Sequence, residues 1–195
     1  MPFTSSSLSE DERLTLLTIA KRSIVHGLEH GEPLAIDPRT YPEALRPVRA
    51  TFVTLQNDGK LRGCIGALDA TDPLVLDVAK HAHAAAFHDP RFQPLVPDEL
   101  ARIDVHISIL SPPEPIAFET EDDLLAQLRP GIDGLVLTLG DNRATFLPAV
   151  WDTLPEPRDF VAHLKIKAGF EVDFWSKGIA IGRYTTESFG EMVGI

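Results

Sequence analysis

The chain has 195 residues and a formal net charge of −11, with 44% hydrophobic and 24% charged residues, which suits one globular domain or one domain with a small second lobe. The acidic balance and the lack of any basic run exclude binding to nucleic acid or an anionic membrane over a broad face. No window of about 18 apolar residues exists to cross a bilayer, and the single cysteine, Cys64, rules out an intramolecular disulfide.

The first stretch, residues 1–9, reads as a polar, Ser-rich tail without the basic-then-apolar pattern of a secretion signal, so a cytoplasmic location is expected. Ser9 and Glu12 fit a capping box. Leu14, Leu17, Ile24, Val25 and Leu28 then recur at near-helical spacing, and Gly31 followed by Pro33 closes the helix. Pro33, Pro38, Pro42 and Pro47 make residues 32–47 an irregular connection. Val48 to Leu55 is rich in β-formers, Asn57-Asp58-Gly59 signals a turn, and Lys60 to Gly66 is the return strand of a hairpin. Asp72-Pro73 is expected to start an Ala-rich helix, with Asp72 as cap, that ends before Pro90.

Asp104 to Leu110 alternates, with Val105, Ile107 and Ile109 on one face. Ser111 to Pro115 reads as a stiff loop, and Thr120 caps a short acidic helix through Leu128. Leu135 to Leu139 and Arg143 to Leu147 form a second hairpin around Gly140-Asp141-Asn142. A helix follows from Pro157 to Ala168 with Gly169 as its stop, and Ile179 to Thr186 is the last strand. Hairpins outnumber strand–helix–strand crossovers. The expected class is therefore α/β of the α+β type: a mainly antiparallel sheet flanked by helices, with room for a smaller lobe.

The segment with the most chemical content is Leu61-Arg62-Gly63-Cys64-Ile65-Gly66. Strand alternation puts Arg62 and Cys64 on one face, roughly 6.5–7 Å apart, with Leu61, Gly63 and Ile65 on the other. A guanidinium so placed stabilises a thiolate, the reactive form of cysteine, and Gly63 and Gly66 admit a close backbone or ligand. The plainer reading stays open: a lone cysteine packs as a small hydrophobe, and a strand glycine marks a bulge.

Several ordered blocks are similar to the AMMECR family. The hexapeptide resembles its signature. Ala85-Ala86-Phe87, Asp89-Pro90-Arg91-Phe92 and Pro94-Leu95 resemble the next block, and Ile107 to Ile116 resembles a strand with its Pro-rich loop. Phe146 to Trp151, Lys167-Ala168-Gly169 and Arg183 to Phe189 resemble the C-terminal blocks, the last of these in the bacterial form called AmmeMemoRadiSam system protein A. The resemblance spans about residues 10–190, a single AMMECR-type domain, and implies an α/β fold with a main sheet, a smaller lobe and the signature near a cleft. It also implies work beside a Memo-like protein and a radical SAM protein, without naming a reaction.

Two function readings follow. In the first, Cys64 is a nucleophile or group-holding thiol beside Arg62, with His106 as a candidate base on the face opposite Val105 and Ile107. In the second, the chain is a binding or adaptor module that uses Arg62 to anchor an anionic ligand, peptide or protein partner. Gly63, Gly66, Asp89, Arg91 and Glu114 are the further ligand-binding candidates, although Asp89 and Arg91 equally suit bracing of a helix end.

His81, His83 and His88 lie on one helix at spacings poorly suited to zinc and read as solvated or structural, so no metal site is expected. Phe146, Trp151, Phe160, Phe174 and Trp175 read as core. No phosphate-binding loop, dinucleotide fingerprint or Ser-His-Asp order is present, so no cofactor is expected.

Overall fold

The structure, a computed structural model, describes residues 7–190, so residues 1–6 of the expected tail lie outside the described residues. Two compact units divide the chain: Ser111–Thr186 forms one, and the segments up to Leu110 and from Glu187 form the other.

The divided unit begins with α1 (Glu10–His30). Ser9 Oγ accepts the Glu12 N–H at 3.3 Å and Glu12 Oε2 accepts the Ser9 N–H at 2.8 Å, closing the capping box. The helix stops where Gly31 takes φ +78°, a left-handed conformation that costs glycine nothing. Its buried stripe is Leu16, Leu17, Ile19, Ala20 and Ile24. Leu14 and Val25, expected in that stripe, are exposed, because the helix presents its face about one position out of phase with the spacing first read.

β1 (Thr51–Asn57) and β2 (Lys60–Gly66) pair antiparallel through a turn with φ +50° at Asp58 and +73° at Gly59. α2 (Leu74–Phe87) starts after Pro73, which makes no side-chain cap; the carboxylate of Asp72 instead accepts Lys80 Nζ at 2.8 Å. β3 (Ile103–Leu110) pairs antiparallel with β1. The sheet order is β2-β1-β3-β8, with β8 being Thr186–Gly190. Thr51, Val53 and Leu55 of β1 and Val105, Ile107 and Ile109 of β3 are buried in one core with Val75, Val78 and Ala82 of α2. Each fully buried Leu, Ile or Val contributes roughly 1.5–3 kcal/mol. The opposite face of the same strands, Phe52, Thr54 and Gln56 with Asp104, His106 and Ser108, is half-buried. Gly63 permits α2 to lie close, since a Cβ there would collide with the Ala85 carbonyl oxygen.

The second unit holds β4 (Glu114–Pro115), α3 (Glu121–Gln127), β5 (Gly134–Leu139), β6 (Asn142–Phe146), α4 (Pro157–Lys167) and β7 (Ala180–Tyr184). Its sheet order is β4-β7-β5-β6, with β4–β7, β7–β5 and β5–β6 all antiparallel. Trp151 stacks on Phe160 at 3.8 Å in its core, and Phe146, Phe174 and Trp175 pack against that core. Tyr184 is buried with its hydroxyl 2.8 Å from Thr145 Oγ1, and burial pushes its pKa up to about 12.

Two further expectations need correction. Ser111 to Pro115 is not wholly a loop, because Glu114-Pro115 adds a short edge strand beside β7. The segment 179–186 is not one strand. It breaks at Thr185, whose N–H donates to Ser111 Oγ at 3.0 Å and whose C=O accepts from Ser111 N at 2.9 Å, so β7 and β8 serve different sheets.

Candidate functional site

Cys64 sits in β2, the edge strand of its sheet, opposite Thr54 of β1. An edge strand exposes unpaired N–H and C=O groups. Here the loop after α2 closes that edge: Asp89 Oδ2 accepts the Cys64 N–H at 2.8 Å, and Arg91 Nη2 reaches the Cys64 carbonyl at 3.4 Å. The sulfur accepts a hydrogen bond from Thr54 Oγ1 at 3.1 Å. Cys64 is thus held through its N–H, its carbonyl and its sulfur while remaining half-buried.

Asp89 is the centre of that clamp. Its carboxylate also accepts the Arg91 backbone N–H at 3.1 Å, Arg91 Nε at 3.0 Å and Arg91 Nη2 at 2.7 Å. The bond from Arg91, aided by the backbone N–H of Cys64, holds the Asp89 carboxyl well below the usual carboxylate range despite burial. The Arg91 guanidinium is raised by Asp89 above all.

Arg62 does not stand as expected. Leu55 pairs with Gly63 and Gln56 with Leu61, so Arg62 is the extra residue of a β-bulge. The bulge breaks the alternation and turns Leu61 to the face of Gln56 and Thr54, where it is exposed. Arg62 Nε and Nη2 meet the two carboxylate oxygens of Glu99 at 2.6 and 2.9 Å, and Nη2 also reaches the Gln93 carbonyl at 3.0 Å. This fork is largely buried and holds Glu99 down to about 2. Among the described residues no hydrogen bond or ion pair joins Arg62 to Cys64; the guanidinium next to Cys64 is that of Arg91. The two arginines share one aromatic ring, with their guanidinium carbons 5.8 and 5.6 Å from the centre of Phe92.

His106 lies in the same cross-strand row, opposite Thr54, which in turn is opposite Cys64. One whole strand therefore separates it from the thiol. Its ring lies over Gly190 of β8, where a Cβ would collide with it. Gly66 lies flush against Phe52 and the Thr51 carbonyl. Glu114 belongs to the other unit, exposed in β4 opposite Arg183.

Sequence reasoning missed Thr54 and Glu99. Nothing in a single sequence marks Thr54, because its role follows from strand register. Glu99 carries a weak signal: three residues after Val96, it accepts the Val96 N–H at 3.1 Å as a first-turn carboxylate does. A second polar cluster was also missed. The buried Asp77 accepts Thr51 Oγ1 at 2.5 Å and lies 3.1 Å from His81 Nδ1, which makes His81 a half-buried, hydrogen-bonded group. Among the described residues no group of three or more His, Cys, Asp or Glu could hold a metal ion, and no helix is long and apolar enough to cross a membrane.

The family model described as AMMECR1 matches residues 17–189. A protein of Methanothermobacter thermautotrophicus is 37% identical over 190 residues, covering 94% of this chain and 96% of its own length. One from Thermotoga maritima is 37% identical, covering 87% of this chain and 94% of its own. The crystal structure of protein PH0010 from Pyrococcus horikoshii superposes with a TM-score of 0.86 at 31% identity, covering 94% of this chain and 93% of that one.

Proposed function

Starting from the fact that this chain belongs to the AMMECR1 family, we propose that it is a group-handling protein in which Cys64 holds or passes on a chemical group supplied by a partner. The supporting observation is the threefold fixation of Cys64. Its N–H, carbonyl and sulfur each have a partner, and the cation next to it is Arg91. A thiol held this way has its direction set before any ligand arrives, which lowers the ordering cost of an encounter. Arg62 acts one step removed. It fixes the loop that carries Asp89 and Arg91 through Glu99 and the Gln93 carbonyl.

The sulfur's side-chain partner is a threonine hydroxyl, not a base. That favours a thiol working within a cytoplasmic system over a free-standing Cys–His nucleophile. The proposed partners are a Memo-like protein and a radical SAM protein, the latter bringing the demanding chemistry with its own cofactor. The same feature also favours the adaptor reading, in which the site only binds a partner or anion and forms no bond at sulfur.

Intact-mass spectrometry of protein isolated natively from cells, with Cys64→Ser alongside, separates these readings. The group-handling reading expects a mass adduct on Cys64, ready alkylation of the native thiol and recovery of a partner that Cys64→Ser loses. Partner recovery that survives Cys64→Ser, with no adduct, gives the adaptor. A thiol that alkylates only after denaturation overturns the group-handling reading.

A further inference from the structure

α1 and α2 meet around a buried histidine. His83 is 4% exposed, with its ring 4.9 Å from Phe87 and 5.1 Å from His88. From α1, Gly27 comes so close that a Cβ there would stand 2.7 Å from His83 Cδ2. The backbone of Gly31 lies near enough to favour a proton on the ring, while among the described residues Nε2 is buried with no hydrogen-bond partner. A neutral imidazole tolerates a bare lone pair in such a place. An imidazolium would bury an N–H with no acceptor.

The titratable groups acting on His83 are His88 at the end of its own helix and His26 on α1, both repelling when charged, with no carboxylate among them. His26 stacks on His30 at 4.2 Å, and Glu29 lies against His30 at 3.8 Å rather than against His83. From the sheet side and the following loop, the last turn of α2 meets the uncharged Gly63 and the Leu95 N–H. Asp89 follows that turn immediately.

We propose that the α1–α2 contact is an acid-sensitive latch on the Cys64 site: protonation of His83 drives its ring out of the contact, shifts the last turn of α2 and releases the Asp89 clamp on β2. The latch regulates the site described above and in that sense rests on that reading, but it is read out by backbone exchange, which needs neither ligand nor thiol chemistry. Burial, ahead of the two neighbouring histidines, lowers the affinity of His83 for a proton in the folded chain. The sign follows. The stability that neutral His83 contributes is fully present above the unfolded histidine range, about 6.5, and is lost as pH falls below it.

Amide hydrogen exchange at Cys64, corrected for its intrinsic pH dependence, tests the latch. Between about pH 7.5 and about pH 5 the corrected rate is expected to rise at least about tenfold, while Leu137 in β5 stays unchanged. Asp89 remains ionised over this range, so its own protonation does not confound the result. His83→Asn, which is polar, similar in size and takes no proton, is expected to flatten the response. Equal acceleration in His83→Asn overturns the proposal, as does an unchanged Cys64 amide in the unsubstituted chain. Should His83→Asn fail to fold, His83→Gln takes its place: a flattened Cys64 response supports the latch, and an acceleration equal to that of the unsubstituted chain overturns it.

Discussion

Asp89 and Asp133 show one local device put to two uses. Each is a buried carboxylate gripped by a nearby arginine. Asp133 accepts the backbone N–H of Arg129 at 2.9 Å, its Nε at 3.0 Å and its Nη2 at 2.6 Å, much as Asp89 accepts Arg91. The fork at Asp133 closes its own turn, and the Asp133 carbonyl accepts Trp151 Nε1 at 2.7 Å. The fork at Asp89 adds one long-range bond, to the N–H of Cys64. The same chemistry completes a core in one unit and fastens a strand edge in the other, and the single extra bond makes the difference.

The strongest test of that comparison is a pair of substitutions. Asp89→Ala and Asp133→Ala should each cost about 3–4 kcal/mol in denaturant unfolding, since each strands an arginine and backbone donors. Only Asp89→Ala should speed alkylation of Cys64 and exchange of its amide. If Asp133→Ala does so equally, the division of labour is wrong.

A smaller effect concerns acid. Glu99 has its folded pKa lowered, by Arg62 above all, so its stabilisation is full above the ordinary glutamate value of 4.5 and is lost as pH falls toward about 2. Arg62→Gln should therefore be less stable by about 2 kcal/mol near neutrality, with the gap from the parent closing in acid. A gap independent of pH would assign the loss to packing instead.

The smallest effects belong to the cross-strand row. Thr54→Val removes a hydrogen bond to sulfur and should cost about 0.5–1 kcal/mol while changing the Cys64 alkylation rate by a few-fold. His106→Gln should leave that rate unchanged, because Thr54 stands between the two residues. A loss of reactivity in His106→Gln would restore histidine as a base.

Much of the fold was legible because local chemistry settled it. The capping box at Ser9, the turn at Asn57-Asp58-Gly59 and the alternation through Val105, Ile107 and Ile109 are short-range instructions, and each appears in the structure as read. Asp72 misled because a short acidic residue before proline fits a cap, whereas Lys80, two turns along the helix, claims the carboxylate. The run from Ile179 to Thr186 misled because β-formers continue through the break at Thr185, and composition cannot say that the chain changes sheets there.

For the site, the sequence determined its ingredients: a single thiol, two glycines that admit close backbone, and an Asp-Pro-Arg-Phe segment at a helix end. Their partnerships belonged to tertiary structure alone. Which arginine lies by Cys64 depends on a bulge that takes Arg62 out of register, and on a loop 25 residues later that reaches back to the strand edge. A bulge is set by how two strands and a packed helix fit together, here with Gly63 pressed on the Ala85 carbonyl. Strand alternation is a property of one segment, and it cannot register the contacts that break it.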